Sequence, residues 1–420
     1  MKLTALIPLT AITLTLNAAD WTQYRGPNGD GSTPDKIATA WPASAKVLWK
    51  VQGGTGFSSF AVSALRCFTI EGEKKGDVLH ESLIARALAD GKELWKADLG
   101  PAKYGGGGDD GTPANRGGDG PRSTPTVAGN LVIAMHSNLV LSAYDVATGK
   151  PAWNRDLMKE HRGRNISWSN AASPLLEDGL LYIAGGGAGE SFLALDPKTG
   201  AVVAKSGDDT MTHATPIAAT ILGQRQIIFF MKSGLVSVEP KTLKQLWTAP
   251  VQFNVSTAAS PVVSEDYVYA SVGYGVGAYG FKISKAGAEW KATQVMRTPG
   301  DQKIPNHWST PVLHGGHLYG MFQFKKYGSG PVKCVALPDG DIKWQKENFG
   351  PGQVVLTNGN LLLLSDAGEL VLVAAQPGEF KELARAKVID GKCWTTPVIT
   401  NGLVLVRSTK EAACIDLRVK

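Results

Sequence analysis

The chain has 420 residues, of which 43 % are hydrophobic and 19 % are charged, so it is long enough to bury a large core. Its net charge of +6 is small for this length and does not favour a nucleic-acid partner, because such partners need a concentrated basic face. Gly accounts for 49 residues, above the usual share of about 7 %, which indicates many turns.

Residues 1–19 have the pattern of a secretory signal peptide. The charged Lys2 precedes an apolar run over Leu3–Leu16, and small residues follow at the expected cleavage point. The alternative is an N-terminal membrane anchor, for which the apolar run is short. No Cys follows the run, so a lipid anchor is not expected. We predict a periplasmic or secreted protein with no membrane span, whose mature part begins with an arm over residues 20–46.

One phrase recurs along the chain: a small hydroxyl residue and Pro precede apolar residues, a turn and an apolar-aromatic strand. The clear copies are STPTVAGNLVIAM from Ser123, ASPLLEDGLLYIA from Ala172, ATPIAATILGQRQIIFF from Ala214, ASPVVSEDYVYAS from Ala259, STPVLHGGHLYGM from Ser309 and TTPVITNGLVLVR from Thr395. Degenerate copies begin at Ser58 and Gly352. Successive copies lie 42 to 50 residues apart, except for a step of 65 residues from Ser59 to Thr124.

A second phrase alternates with the first and consists of a turn and then a strand, usually with a Trp. Its copies are ADGKELWKADL at Ala89, ATGKPAWNRDL at Ala147, KTGAVVAKSGD at Lys198, KTLKQLWTAPV at Lys241, KAGAEWKATQV at Lys285, PDGDIKWQKEN at Pro338 and QPGEFKELARA at Gln376. An orphan copy, VLWKV, occupies Val47–Val51. Each period therefore holds about four short strands, which is the size of one β-propeller blade.

The repeats predict an all-β fold, an eight-bladed propeller of four-stranded antiparallel blades over residues 47–420. Seven blades are the alternative, because the 65-residue step is irregular. The last repeat supplies about three strands, and the strand at Val47–Val51 can complete it and close the ring. Pro has no backbone donor and suits the start of an edge strand, so the inner strands should begin at Pro. These residues are Pro125, Pro174, Pro216, Pro261, Pro311 and Pro397.

Residues 100–121 are predicted to be an insertion loop between two blades. Gly106, Gly108 and Gly111 fit the spacing G-x-G-x-x-G of a pyrophosphate-binding turn. A Thr-Pro pair follows where a helix should open, and two adjacent Asp residues would repel a phosphate. We therefore interpret the run as a candidate lid over the channel mouth.

The second phrase resembles the tryptophan-docking motif of a known family. AYDVATGKPAW at Ala143–Trp153 and ALDPKTG at Ala194–Gly200 are similar to motifs of the pyrroloquinoline-quinone-like (PQQ-like) β-propeller family. This family includes quinoprotein alcohol dehydrogenases and the outer-membrane assembly propeller, and the resemblance covers roughly residues 47–420. The arm over Trp21–Thr33 resembles the start of many secreted bacterial propellers. The resemblance implies a structural role, tying blades together, for the Trp residues of the phrase. They are Trp95, Trp153, Trp247, Trp290 and Trp344.

The same resemblance leaves a dehydrogenase role in doubt. The alcohol dehydrogenases of the family use adjacent cysteines over the quinone, a calcium ion and an Asp base. This chain has no Cys-Cys pair, and the resemblance does not assign the calcium ligands or the base to particular residues. The four cysteines stand apart, and we expect buried thiols: Cys67, Cys334, Cys393 and Cys414. No metal site is predicted, since His213 and His307 lack the spacing of a metal pair.

Ligands of propellers usually bind where the inner strands start. Large side chains that lie three residues before the Pro, or close to that position, form our candidate ligand site. They are Arg122, Trp168, His213, His307, Trp308 and Trp394, with Phe57 in the degenerate first copy. Arg, His and Trp around one axis could hold a planar or anionic ligand by stacking and charge. A solvated funnel with packing aromatics is the alternative.

Two shorter motifs are interpreted as structural. The basic segment over Lys159–Asn165 is expected to be a solvated connection between repeats. NGDGST at Asn28 lacks the acidic series of an EF-hand and is expected to be a turn.

We expect an exported binding or scaffold module, monomeric, for an envelope protein or a small ligand. The alternatives are a PQQ-dependent alcohol or sugar dehydrogenase with calcium, and a carbohydrate-active propeller that binds a glycan through carboxylates at the channel mouth. No other cofactor is predicted.

Overall fold

The computed structural model describes residues 20–104, 120–322 and 328–419. Over these residues the chain forms eight β-sheets in a ring, seven of four strands and one of five. Helix in the described part is limited to α1 (Leu157–Glu160). No helix found there is long and apolar enough to cross a membrane.

Two strands precede the first blade: β1 (Ser32–Thr33) and β2 (Val47–Gln52). Blade 1 contains β3 (Ala61–Ser63), β4 (Arg66–Lys75), β5 (Val78–Ala87) and β6 (Glu93–Ala102). Blade 2 contains β7 (Thr126–Ala128), β8 (Leu131–Met135), β9 (Val140–Asp145) and β10 (Pro151–Asp156). Blade 3 contains β11 (Leu175–Glu177), β12 (Leu180–Ala184), β13 (Phe192–Leu195) and β14 (Val202–Ser206). Blade 4 contains β15 (Ile217–Ile221), β16 (Gln224–Met231), β17 (Gly234–Val238) and β18 (Gln245–Pro250).

The second half of the ring follows the same order. Blade 5 contains β19 (Val262–Ser264), β20 (Tyr267–Val272), β21 (Gly277–Ala286) and β22 (Glu289–Pro299). Blade 6 contains β23 (Val312–His314), β24 (His317–Met321), β25 (Val332–Ala336) and β26 (Ile342–Lys346). Blade 7 contains β27 (Gln353–Thr357), β28 (Asn360–Leu364), β29 (Glu369–Ala374) and β30 (Glu382–Lys387), and β1 joins it as a fifth strand parallel to β27. Blade 8 contains β31 (Val398–Thr400), β32 (Leu403–Arg407) and β33 (Glu411–Asp416).

The ring closes as the sequence predicts. Strand β2 pairs antiparallel with β33 and supplies the fourth strand of blade 8, with Trp49 opposite Cys414. The indole Nε1 of Trp49 then donates to the carbonyl oxygen of Leu88 in blade 1, at 2.8 Å. The eight-bladed count is thereby confirmed, and seven blades are wrong. Part of the irregular 65-residue step comes from the ten-residue strands of blade 1, which are longer than most.

Pro precedes the inner strand of every regular blade, and hydroxyl residues link several neighbouring blades. Each predicted Pro directly precedes an inner strand, as Pro125 precedes β7 and Pro174 precedes β11. The preceding hydroxyl residues link neighbouring blades through backbone N–H donors. These bonds join Ser59 N to Thr124 Oγ1 (3.1 Å), Thr124 N to Ser173 Oγ (2.8 Å), Ser173 N to Thr215 Oγ1 (3.0 Å) and Ser260 N to Thr310 Oγ1 (2.9 Å). The repeated phrase therefore encodes contacts between blades as well as the strands themselves.

The docking tryptophans divide into two groups. Trp95, Trp153 and Trp344 each donate an indole N–H to a backbone carbonyl of the next blade, at 2.8 to 3.1 Å. Trp247 instead donates to Gln226 Oε1 of its own blade, and the ring of Trp290 lies under Lys285 of its own blade. The resemblance implies that all five tryptophans tie blades together. Three of the five donate a hydrogen bond to the next blade.

The arm crosses one end of the channel. Trp21, which is buried, pairs with Val62 in blade 1. Further hydrogen bonds connect Thr22 O to Val127 N, Gln23 Oε1 to Leu176 N, Arg25 Nη1 to Thr310 O, Gly31 O to Leu356 N and Asp35 Oδ2 to Asn401 N. The arm covers inner edges that would otherwise expose unpaired backbone groups. The turn expected at Asn28 lies within it, where Asp30 Oδ1 accepts from Ser32 N at 2.8 Å.

Candidate functional site

The candidate residues lie at the end of the channel opposite the arm. In an antiparallel blade, the loop that enters the inner strand and the loop between the second and third strands open on the same face. The arm pairs with the far ends of the inner strands, as at Leu356 in β27, so it occupies the other face. We call the face with the entering loops the mouth.

Seven aromatic rings form a continuous series across the mouth, and we call them the mouth cluster. Successive ring centroids are 4.7 to 6.5 Å apart. In order, the rings belong to Phe57, Trp394, Trp308, His307, Tyr274, Trp168 and His213. The structure therefore brings together the five aromatic residues of the predicted site and Phe57, on loops that come from several blades.

Gln353 positions two of these tryptophans. Gln353 stands where other repeats have a hydroxyl residue, and its side chain is longer. Its amide Nε2 donates to the carbonyl oxygens of Trp308 (3.3 Å) and Trp394 (3.1 Å). The degenerate repeat is thus a local adaptation that ties two segments of the mouth together.

His213 is held in one neutral tautomer. Its Nε2 lies 2.9 Å from Ser167 O, which can only accept, so Nε2 carries the proton. Its Nδ1 lies 2.7 Å from Ser256 Oγ and accepts from that hydroxyl. Burial, followed by the positive charge of Arg122, lowers the pKa of His213 to about 3. The imidazole is therefore uncharged at physiological pH and contributes a ring face and a fixed orientation.

Two cations flank the mouth cluster. Arg122 donates from Nη1 to Trp168 O at 2.5 Å, and its guanidinium lies 5.1 Å from the ring centroid of Tyr104. Lys392 Nζ lies 5.0 Å from the ring centroid of Trp394 and 5.8 Å from that of Phe57. Positive charge thus lies at both ends of the series of rings, which favours an anionic or electron-rich planar ligand.

A buried carboxylate supports the Arg122 side of the mouth. Glu81 accepts the Tyr104 hydroxyl and also the backbone N–H of Ser137 at 3.1 Å. Burial, and next the nearby charge of Glu81, raise the pKa of Tyr104 well above its usual range. Tyr104 therefore stays protonated and holds its ring beneath the Arg122 guanidinium.

Two rings of the mouth cluster sit on left-handed backbone. Trp168 has φ +64° and Tyr274 has φ +59°, and their rings stack with an interplanar angle of 19°. This conformation costs roughly 1 kcal/mol or more for a non-Gly residue and often marks functional loops. Tyr274, Tyr104 and Lys392 were not predicted from sequence, because they lie outside the fixed offset before Pro that defined the candidate positions.

The basic segment over Lys159–Asn165 lies beside the mouth. It overlaps α1, and His161 Nδ1 and Arg162 Nη2 bind the carboxylate of Glu190 at 2.6 and 3.1 Å. Hydrogen bonds from Lys205 and His161 lower the pKa of Glu190 to about 2. The segment is a connection fixed by ion pairs, in agreement with its structural interpretation.

The sequence of the blades identifies the family. The family model described as "Outer membrane protein assembly factor BamB" matches residues 80–320, more than half of the chain. The chain belongs to the PQQ-like β-propeller family. The resemblance of the docking motif is thus confirmed. A search of curated proteins found no match.

Solved structures agree with the propeller fold. Quinohemoprotein alcohol dehydrogenase ADHIIG from Pseudomonas putida HK5 superimposes with a TM-score of 0.63 at 12 % identity, over 95 % of this chain and 80 % of that one. BamB from Moraxella catarrhalis gives 0.57 at 14 % identity, over 88 % and 98 % of the two chains. The computationally designed protein Ika8 gives 0.57 at 10 % identity, over 88 % and 99 %. At such identities the likeness shows the fold alone.

Calcium bound beside pyrroloquinoline quinone would need a set of ligands at the mouth. Calcium needs several oxygen ligands, and the described part of the chain contains no group of three or more His, Cys, Asp or Glu side chains suited to a metal. All four thiols are free and buried, as expected. Burial raises the pKa of Cys334 to about 11 and of Cys393 and Cys414 to about 12, and it also raises that of Cys67. None of them is poised to act over a quinone.

The candidate lid falls almost wholly outside the described residues. Strand β6 continues through Ala102, and the structure gives no description of residues 105–119. The role of that segment as a lid stays a prediction, and so does a signal peptide in residues 1–19, which also lie outside the described residues.

Proposed function

We propose that this protein is an exported binding module that holds a planar anionic small molecule at the channel mouth. The observation that supports it is the mouth cluster with Arg122 at one end and Lys392 at the other. Stacking on an aromatic ring contributes about 0.5–1.5 kcal/mol beyond buried area, and a desolvated cation–ring contact contributes about 2 kcal/mol. Two rings and one cation would therefore supply about 3–5 kcal/mol, which corresponds to millimolar affinity before the buried area is counted.

The other end of the channel supports this arrangement. The arm crosses that end and hydrogen-bonds to inner strands on both sides of the ring. A ligand would therefore enter from the mouth. Export to the periplasm or beyond follows from the signal-like pattern of residues 1–19.

A scaffold role for an envelope protein is the second candidate. The family match supports it, because the description of the matching model names an outer-membrane assembly factor. Two hairpins also offer surface for a partner: β4–β5 in blade 1 and β21–β22 in blade 5 have strands of ten or eleven residues. Such hairpins extend past the shorter strands of the other blades.

The test of the primary proposal is a fluorescence titration of the full chain with pyrroloquinoline quinone as a planar anionic probe, without calcium. We expect saturable quenching. Trp308→Ala should weaken binding about tenfold through lost stacking. Trp290→Ala removes an indole from an outer strand and should leave the affinity unchanged. Equal effects of the two variants, or no saturable binding, would refute the proposal.

Three further assays separate the alternatives. Alcohol-dependent dye reduction after addition of quinone and calcium would favour a dehydrogenase and overturn a binding-only role. Glycan binding or cleavage on an array would favour the carbohydrate-active alternative. Stoichiometric recovery of one envelope protein with the tagged chain, lost when the β4–β5 hairpin is shortened, would favour the scaffold role.

A further inference from the structure

The arm leaves a gap at blades 4 and 5. Its hydrogen bonds reach blades 1, 2 and 3 through Val62, Val127 and Leu176, and then blade 6 through Thr310. From there it continues to blade 7 and to blade 8. Between Gln23 and Arg25 the arm thus passes from blade 3 to blade 6 and leaves the inner strands of two blades beneath it.

A cavity of about 360 Å³ lies at this gap. One wall consists of arm residues 25–32, and the opposite wall consists of inner-strand residues of blades 4, 5 and 6. The inner-strand wall is largely apolar, with Ile217, Val262 and Leu313 among its residues. The volume is at the small end of the range for ligand pockets, about 300–1,000 Å³.

Among the residues that line this cavity, Arg25 is the one charged residue that is buried. The residue is 2 % exposed. Three of its hydrogen bonds go to backbone carbonyls: Nη1 to Thr310 O at 2.7 Å, and Nη2 to Asp30 O at 2.8 Å and Pro311 O at 2.9 Å. A guanidinium has five N–H donors, so two remain, and Nε is buried without a hydrogen-bond partner. Nε is enclosed by protein, whereas the second N–H of Nη1 remains for a ligand oxygen at this end of the cavity.

Gly31 fixes the guanidinium in place. Gly31 has φ +80°, and a Cβ there would lie 2.6 Å from Arg25 Nη2 and 2.9 Å from Val312 Cγ1. The arm backbone therefore approaches Arg25 as closely as glycine permits. This close packing restricts movement of the guanidinium.

The rim limits the charge of the ligand. Arg225 on the rim is paired with Glu177 at 2.7 Å, so it adds little free positive charge. Asp30 and Glu265 also line the cavity. Their carboxylates would oppose a second negative group on a ligand whose first one reaches Arg25.

We propose that this cavity is a second binding site, which takes a small aliphatic monocarboxylate. The ligand carboxylate accepts the second N–H of Arg25 Nη1, and the aliphatic chain lies on Ile217, Val262 and Leu313. This site is separate from the mouth cluster, and neither proposal depends on the other.

The test is saturation-transfer NMR on the full chain with hexanoate as the probe, and with hexylamine and adipate as matched cation and dianion. We expect saturable binding of hexanoate and binding of the other two at least about tenfold weaker. Arg25→Met should weaken hexanoate binding about tenfold or more, because the positive charge and its hydrogen bond to the carboxylate are lost. Arg225→Met is the matched control and should change it less than about twofold, because Glu177 already neutralises that side chain.

A cavity-filling variant guards against unfolding of the arm in Arg25→Met. Ala218→Phe places a ring on the blade 4 wall and leaves the Arg25 contacts in place. It should abolish hexanoate binding while quinone binding at the mouth is retained. Hexanoate binding that survives in Ala218→Phe, equal binding of hexylamine, or no saturable binding would overturn the proposal. Loss of hexanoate binding in Trp308→Ala would place the probe at the mouth and would also overturn it.

Discussion

The buried neutral state of His213 predicts a specific dependence of stability on pH. In the folded protein the pKa of His213 is lowered to about 3, by burial first and Arg122 second. In the unfolded chain the group has an ordinary pKa of about 6.5. Below pH 6.5 the unfolded state therefore gains a proton that the folded state does not. The stability associated with this group is full above that pH and is lost as the pH falls toward 3.

The size of the effect follows from the two pKa values. A fully developed difference in proton uptake changes the free energy of unfolding by about 1.4 kcal/mol per pH unit. Between pH 7 and pH 5 the loss from His213 alone comes to about 2 kcal/mol, since the change begins only near pH 6.5. Replacement by Gln removes the titrating group. The amide can still donate to Ser167 O and accept from Ser256 Oγ.

The assay is urea unfolding of the wild-type protein and of His213→Gln at pH 7 and pH 5. The wild-type protein should lose about 2 kcal/mol more than the variant over this range. A second readout is the imidazole proton resonance of His213, which should not shift between the two pH values. Equal losses for the two proteins, or an imidazole that titrates near pH 6, would refute the neutral assignment.

Three further predictions follow from contacts within the fold and at the mouth. Gly149→Ala should lower the free energy of unfolding by about 2 kcal/mol more than Gly129→Ala does, as measured by thermal unfolding. Both glycines have positive φ, but only at Gly149 would a Cβ meet the Trp95 ring, at 2.6 Å. Equal effects of the two substitutions would contradict this prediction. The four cysteines should resist a thiol-reactive dye in the native protein at pH 8, because burial raises the pKa values of their thiols. All four should react in denaturant. Fast reaction of the native protein with the dye would contradict this prediction. Arg122→Met should weaken quinone binding about tenfold, because it removes a cation beside the mouth cluster. Lys285→Met removes an exposed cation–ring contact in an outer hairpin and should leave quinone binding unchanged. Equal affinities of the two variants would contradict this prediction.

The blades could be predicted from sequence because each one repeats the same physical requirements. A strand that packs between two neighbouring blades is apolar on both faces, as Leu131–Met135 is, and such runs recur at blade spacing. Pro before the inner strand and the closing strand at Val47–Gln52 follow from the same constraints on edges.

The single-copy features could not be predicted in this way. The arm has no periodic pattern, and the role of Arg25 depends on carbonyl groups almost 300 residues away in blade 6. Tyr274 joins the mouth cluster from a loop between the second and third strands of its blade, so the offset from Pro does not find it. Its signal in the sequence is an aromatic residue between glycines at the end of a strand, which is compatible with many turns.

Hydrogen–deuterium exchange with and without pyrroloquinoline quinone tests most directly whether the mouth is the ligand site. The account predicts slower exchange in the loops around residues 272–277, 304–310 and 391–396, which carry Tyr274, Trp308 and Trp394, and no change in the arm over residues 20–35. Protection confined to the arm or to the outer strands, or no protection at saturating quinone, would contradict it.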